Sequence, residues 1–273
     1  MKKSFFRLAF SLTTFLFAVS AMAQDQLTIE GTGDSQTLLR HLAKKFEQLN
    51  PKTKIIVPDS IGSSGGIKAL HKGKCKMARV ARPLKEEEKT ADLSYHKFAY
   101  SPVVFTANLP EKCIDNLSSD QIVGIFSGTI SNWSELGNCK PHKIYVATRE
   151  FGDSSRSIIE KKVAGFKAIP QMTGKVIYST PETLQTLEET PYAIGFLPLG
   201  STSSKLQVFA FNGVVPKEPH VQDGVYPLAS PFGLAWKGEL SDLGSRFLTF
   251  LSSSAGMKIT RSLGVVPVPA CQQ

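Results

Sequence analysis

After residue 19 the sequence has no long apolar run. Nothing later approaches the roughly 18 residues that a membrane-spanning helix needs. It has no C-x-x-C pair and no H-E-x-x-H, and its five histidines are scattered. Zinc-ribbon, thioredoxin-like and metalloprotease readings are therefore poor, and no metal or cofactor is expected. The formal charge is +9, yet there is no dense basic stripe interleaved with aromatics. That leaves an anionic partner in general and argues against nucleic acid. There is no tandem repeat and no low-complexity linker, so the length fits one large domain or two of ordinary size.

What is present begins with a leader. Lys2, Lys3 and Arg7 precede the apolar residues 8–19, and Ala21-Met22-Ala23 supplies a small-x-small cleavage site. Residues 1–23 read as a signal peptide, with the exported, soluble chain starting at Gln24. No Cys stands at that site, so no lipid anchor is indicated. Four cysteines in an exported chain suggest two disulfides. Of three possible pairings, Cys113–Cys139, which bracket one segment, and Cys75–Cys271, which join distant parts, are favoured.

Hydrophobic periodicity gives strands alternating with helices. A strand at 27–29 is followed by a loop, Gly31-Thr32-Gly33-Asp34-Ser35, and a helix on Leu38, Leu39, Leu42, Phe46 and Leu49 that Pro51 stops. A second strand, 55–57, leads into the segment 60–70, SIGSSGGIKAL, read as a loop with a helix from about Ile67. A third strand, 77–81, ends at Arg82-Pro83, and residues 85–89 start a charged helix. Further strands are expected at 100–109, 143–147, 176–178, 193–196, 206–211 and 232–236. Helices are expected from the cap Ser118-Ser119-Asp120 to 125, at 182–188, at 241–252 and at 254–263, with residues 214–224 as a loop. This order is that of an α/β fold, whose ligand loops lie at the carboxyl ends of parallel strands.

Three polar loops carry the chemistry: 31–35, 60–66 and 149–156. Each follows a strand and opens a helix. Backbone N–H groups, small hydroxyls and a bidentate Arg at such a place suit an oxyanion. Arg149 stands at a strand end, and Ser154, Ser155 and Arg156 form the next helical turn. Gly62-Ser63-Ser64-Gly65-Gly66 also fits the G-x-S-x-G nucleophile elbow, with Ser64 as nucleophile and His220 as a conceivable base. No H-G-G-G-like oxyanion loop accompanies it, so a serine hydrolase is the weakest reading and no catalytic residue is assigned.

Ile61-Gly62-Ser63-Ser64-Gly65-Gly66 resembles the phosphate loop of the periplasmic phosphate-binding proteins that serve ABC transporters. Also similar are Ile125-Phe126-Ser127-Gly128-Thr129-Ile130 with Trp133, Tyr192-Ala193-Ile194-Gly195-Phe196, Val225-Tyr226-Pro227-Leu228 and Gly264-Val265-Val266-Pro267. The likeness spans nearly the whole mature chain. It implies an α/β, two-lobed type II periplasmic-binding-protein fold with the ligand cleft between lobes. Lobe one would hold 24–103 and 229–273, lobe two 104–228, with crossing strands near 103–107 and 222–230. Each expected disulfide would then lie within one lobe and leave hinge closure free. The resemblance further implies a periplasmic monomer that captures inorganic phosphate or a related oxyanion and delivers it to an ABC transporter permease, with no bond made or broken. An exported adhesive or signalling protein with altered binding is the alternative.

The family's ligand positions fall on Ser35 and the backbone N–H of Gln36, on Ser63, on Arg149, and on the turn 152–155. Ser64 is added from the same loop as Ser63, and Arg82 from the end of the third strand, where Arg82-Pro83-Leu84-Lys85 resembles a pattern of related binding proteins. The family's acceptor carboxylate falls on Ala81, and Asp153 stands where the family has Ser. Asp153 either replaces that acceptor or caps the helix that starts at Ser154. Arg79 and Arg82 are expected to add positive charge near the strand end, unless Arg82 forms a rim salt bridge. Asp34 is expected to cap the helix that follows it.

Overall fold

The computed structural model describes residues 25–268. The expected leader, 1–23, and Cys271 lie outside them. In chain order the first elements are β1 (Asp25–Gly31), α1 (Gln36–Leu49), β2 (Thr53–Ile56), α2 (Gly62–His71), β3 (Met77–Val80) and β4 (Leu93–Ala107). The middle comprises β5 (Asn116–Leu117), α3 (Ser119–Ser127), β6 (Tyr145–Arg149), α4 (Ser154–Lys162), β7 (Lys175–Ile177), α5 (Thr180–Glu189), β8 (Ala193–Pro198), β9 (Gln207–Val208), β10 (Ala210–Phe211) and α6 (Glu218–Gln222). The chain closes with β11 (Ala229–Lys237), α7 (Asp242–Leu251), α8 (Ser254–Ser262) and β12 (Val266–Pro267).

The strands run in the order β2-β1-β3-β11-β4-β8-β6-β7. The pairs β1–β2, β1–β3, β6–β7 and β6–β8 are parallel, each needing a crossover that a helix supplies. The β11–β3, β11–β4 and β4–β8 pairs are antiparallel. β4 joins the two halves: it pairs with β11 over Leu93–Pro102 and with β8 over Val103–Ala107.

The apolar interior divides accordingly. One core gathers Leu27, Ile29, Leu39, Leu42, Phe98, Phe232 and Phe247. Its α1–α7 seam is an edge-on contact of Phe46 with Phe247, 5.3 Å between centroids. The other core gathers Phe105, Phe126, Trp133, Phe166, Phe196 and Phe211, with Phe126 centroids 5.3 Å from Phe166 and 5.7 Å from Phe196. Such edge-to-face and tilted pairs add stability beyond area burial. Within the second core β4 is pinned at Val103. Its N–H donates to Leu228 O at 2.7 Å, and its carbonyl accepts from the buried Tyr226 hydroxyl at 2.7 Å.

Cys113 and Cys139 are bonded, as expected, with Cα atoms 4.9 Å apart. Cys75 is buried beneath α2 and β3, and its expected partner Cys271 falls outside the described residues.

Four local expectations are corrected. The segment 62–66 is not a loop but the first turn and a half of α2, because helix starts tolerate Gly and Ser and Gly62 takes φ +72° to enter it. Residues 86–88 form only a single 3₁₀ turn. The strand expected over 206–211 is broken in two, β9 pairing with β4 and β10 with β5. The expected loop 214–224 contains α6, a five-residue helix started by Pro219 in its first turn.

Candidate functional site

The loops after β1 and β6 meet in a cleft of about 470 Å³. Gly33, Asp34, Thr37 and Leu38 line it from one side, and Arg149, Asp153, Ser154, Ser155 and Thr180 from the other. Phe232, Leu263 and Val265 add apolar wall.

The first loop is held by a buried cation. Arg79 on β3 is fully buried and donates to the carbonyls of Thr32 at 2.7 Å, Pro58 at 2.7 Å and Ile29, and to Gln36 Oε1 at 3.3 Å. Burial pulls its pKa down, with Glu30 opposing the fall. Gly31 is required where it stands, since a Cβ there would sit 2.0 Å from Arg79 O, and its φ is +138°. Arg79 is thus a brace beneath the loop, and its charge is not available at the strand end as expected. Ser35, at the N-cap position of α1, is fully buried, and its hydroxyl has no hydrogen-bond partner. Gln36 turns away from the cleft. Its backbone N–H donates to Gly33 O at 3.1 Å and its amide lies 3.4 Å from Asp59.

The second half centres on Arg149, the last residue of β6 and almost wholly buried. Nη2 lies 2.8 Å from Asp153 Oδ2, Nη1 donates to Thr180 Oγ1 at 3.2 Å, and Nε donates to Ile177 O and to Glu150 Oε2, each at 3.2 Å. Asp153 caps α4: its Oδ1 accepts from Arg156 N–H at 2.9 Å. It does not point away in doing so, because its second oxygen holds Arg149 and the residue lines the cleft. Burial, the largest effect, pushes its carboxyl pKa up, the Arg156 N–H and Arg149 pull it down, and Glu150 and Asp34 raise it again. Ser154 and Ser155 form the first turn of α4, whose leading N–H groups have no carbonyl within the helix to bond.

Asp34 does not cap α1, which has no side-chain cap. Its Oδ1 accepts from Ser154 Oγ across the cleft at 2.9 Å, and its own N–H donates to Thr32 Oγ1 at 3.3 Å. Asp34 is exposed at the cleft mouth. Burial pushes its pKa up, and the Ser154 and Thr32 hydroxyls and Arg149 offset part of that rise.

The third expected loop packs on the first, with Ile61 N–H donating to Gly31 O at 3.0 Å, but its polar side chains are turned elsewhere. Ser63, Ser64 and Arg82 do not line the cleft. Ser63 Oγ accepts from Ala81 N–H at 3.1 Å, the place where the resemblance puts an acceptor carboxylate. Arg82 forks onto Glu88, with both contacts at 2.7 Å, and donates to Ser64 Oγ at 2.9 Å. The salt-bridge reading of Arg82 is the one observed. Ser64 faces Arg82, and His220 bonds Val215 O at 2.9 Å, so the two do not form a nucleophile–base pair. The structure therefore brings together Arg149, Asp153, Ser154 and Ser155, with Ser35 buried beside them. Thr180 and the Asp34–Ser154 bridge were not foreseen. Thr180 opens α5 in an ordinary Ser-Thr-Pro start, and no pattern marks it as a partner of Arg149. Among the described residues, no group of three His, Cys, Asp or Glu is placed to hold a metal.

The comparisons agree with this architecture. A phosphate-binding protein PstS of Bacillus subtilis is 29% identical over 250 residues, covering 90% of this chain and 82% of the relative. Another PstS, of Borreliella burgdorferi, is 27% identical over 275 residues, covering 96% and 97%. An ABC-type phosphate transport receptor from Vibrio cholerae superposes with a TM-score of 0.72 at 25% identity, covering 89% of this chain and 99% of that one. The PBP superfamily domain model matches residues 18–255, and the chain belongs to that superfamily, with its two-lobed α/β fold.

Proposed function

We propose that the protein is an exported, non-enzymatic solute-binding protein that captures a tetrahedral oxyanion, phosphate first, for an ABC transporter permease. The observation that carries this is the convergence at one cleft of Arg149, the α4 N-terminus with Ser154 and Ser155, and the loop before α1. A guanidinium and free N–H groups at a helix start complement an oxyanion without any reacting group. The named relatives bind phosphate by their own descriptions, which ranks phosphate first here. Asp153 supports the same choice, since a carboxyl that lines an anion cleft can accept a proton from hydrogen phosphate and can accept none from sulfate. The chain would act as a periplasmic monomer, its lobes, 24–103 with 229–273 and 104–228, closing on the ligand. Among the described residues no helix is long and apolar enough to cross a membrane.

A thermal-shift panel of phosphate, sulfate, molybdate and a phosphomonoester tests the reading. Ligand at 100 times its Kd stabilises by about 2.7 kcal/mol, so phosphate is expected to raise Tm by several degrees, more than sulfate. No shift with any anion contradicts it. That result would favour the second reading, a fold retained for adhesion or signalling. The observation that supports it is that Ser63 is taken up by the Ala81 N–H and Ser64 by Arg82, outside the cleft.

A further inference from the structure

Asp34 is the group that the anion-binding reading does not absorb. It belongs to the loop before α1, yet its carboxylate reaches the opposite wall and accepts from Ser154 Oγ at 2.9 Å. Ser154 is the first residue of α4. Asp34 therefore sits at the N-terminus of that helix, within the field of Arg149, where an external oxyanion is expected to sit. Among the described residues it makes no ion pair within 4 Å, on its own side or the other. The charged groups facing it are Arg149 and Asp153 from the β6–α4 segment. Arg156 is already committed to Glu160 and the Arg149 carbonyl. From its own loop only the Thr32 hydroxyl faces it.

A carboxylate and an oxyanion cannot share that place without repulsion. Nor can the Ser154 hydroxyl donate its one proton to both. We propose that Asp34 is an internal competitor: its carboxylate holds the anion seat at the α4 N-terminus and ties the two walls together, and an arriving oxyanion displaces it. This rests on the cleft being an anion site. It also goes beyond that reading, because it makes one residue of the first loop a determinant of affinity and of the resting separation of the lobes. The contact is weakly held: Asp34 is exposed at the cleft mouth, and its carboxylate is met by the Ser154 hydroxyl and not by a paired cation. A competitor of this kind weakens all anions alike, whereas a carboxylate that accepts a ligand proton would strengthen phosphate and reject sulfate.

Calorimetry on the full mature chain, dialysed into phosphate-free buffer, separates these. Asp34→Ala is expected to tighten phosphate and sulfate together, by at least about tenfold each, with Asp34→Asn tightening both by less because its amide oxygen still accepts from Ser154. Small-angle scattering of the same proteins before anion is added is expected to give a larger radius of gyration for Asp34→Ala than for the parent. Weaker phosphate with stronger sulfate overturns the proposal and makes Asp34 a ligand acceptor. Unchanged affinities, or an unchanged radius of gyration, overturn it as well. Binding by the parent with no gain in the variants refutes the competitor alone; absence of binding in every protein refutes the anion site with it.

Discussion

At Arg149 one guanidinium faces three carboxylates, those of Glu150, Asp153 and Asp34. Such a site holds more negative than positive charge when every carboxyl is ionised. Both Asp34 and Asp153 respond with pKa values above the usual carboxylate value, with burial as the main cause. The sign of the consequence follows from proton binding. The folded chain holds these protons more tightly than the unfolded chain. The stability they contribute is therefore present below the ordinary carboxyl range and is lost as pH rises through their raised values. Replacing Asp34 by Asn removes the charge and keeps an acceptor for Ser154. Asp34→Asn is expected to raise Tm at pH 7 and to leave it unchanged at pH 3; an equal shift at both would show that the ionised carboxylate is not the cause. None of this could be read from the sequence. Asp34 follows a Gly-rich loop and precedes a helix, which is the local signature of a cap, and its real partner lies 120 residues away.

Among the elements, α4 shows best what local pattern can and cannot tell. Its start was legible, because Gly152-Asp153-Ser154 after a strand offers a turn, a cap and a first helical residue. The second oxygen of Asp153 was not, since its bond to Arg149 depends on how tightly β6 and α4 turn on each other. The cap itself can be measured. Asp153→Ala is expected to lower stability by about 1 kcal/mol, or more as Arg149 loses its partner, whereas Asp153→Asn retains most of the cap. Equal losses in urea melts would mean that the charge pair, not the cap, dominates. α2 was misread for an opposite reason. Gly and Ser dominate its first five residues, so propensity argued for a loop. What carries the helix is close packing on β1, where a Cβ on Gly66 would lie 2.7 Å from Gly31 Cα. β4 was foreseen only from residue 100 onward. Its earlier half, with His96 and Lys97, lacks a run of apolar residues, and its pairing with β11 holds it in the sheet.

For the molecule as a whole, the α/β order and the meeting of two strand-end loops followed from periodicity. The third loop packs on the first, but its side chains do not line the cleft, because Ala81 N–H engages Ser63 and Arg82 engages Ser64 and Glu88. The two cores are joined through β4, which pairs with β11 in one half and β8 in the other. The Cys113–Cys139 bond lies wholly in the second core and does not line the cleft. It closes a loop with a sequence separation of 26, so its removal by Cys113→Ala with Cys139→Ala is expected to destabilise the chain by about 3 kcal/mol. Phosphate affinity should stay within about twofold; a larger loss would mean that the bond shapes the cleft after all.

The central claim is that an oxyanion binds at Arg149, and isothermal titration of phosphate into the dialysed protein and into Arg149→Gln tests it most directly. The parent is expected to bind one phosphate per chain with saturable heat. The variant is expected to bind at least about 100-fold more weakly, the loss expected when charge-assisted hydrogen bonds from one guanidinium are removed. Equal phosphate affinity in the two proteins, or no heat from the parent, would contradict the account.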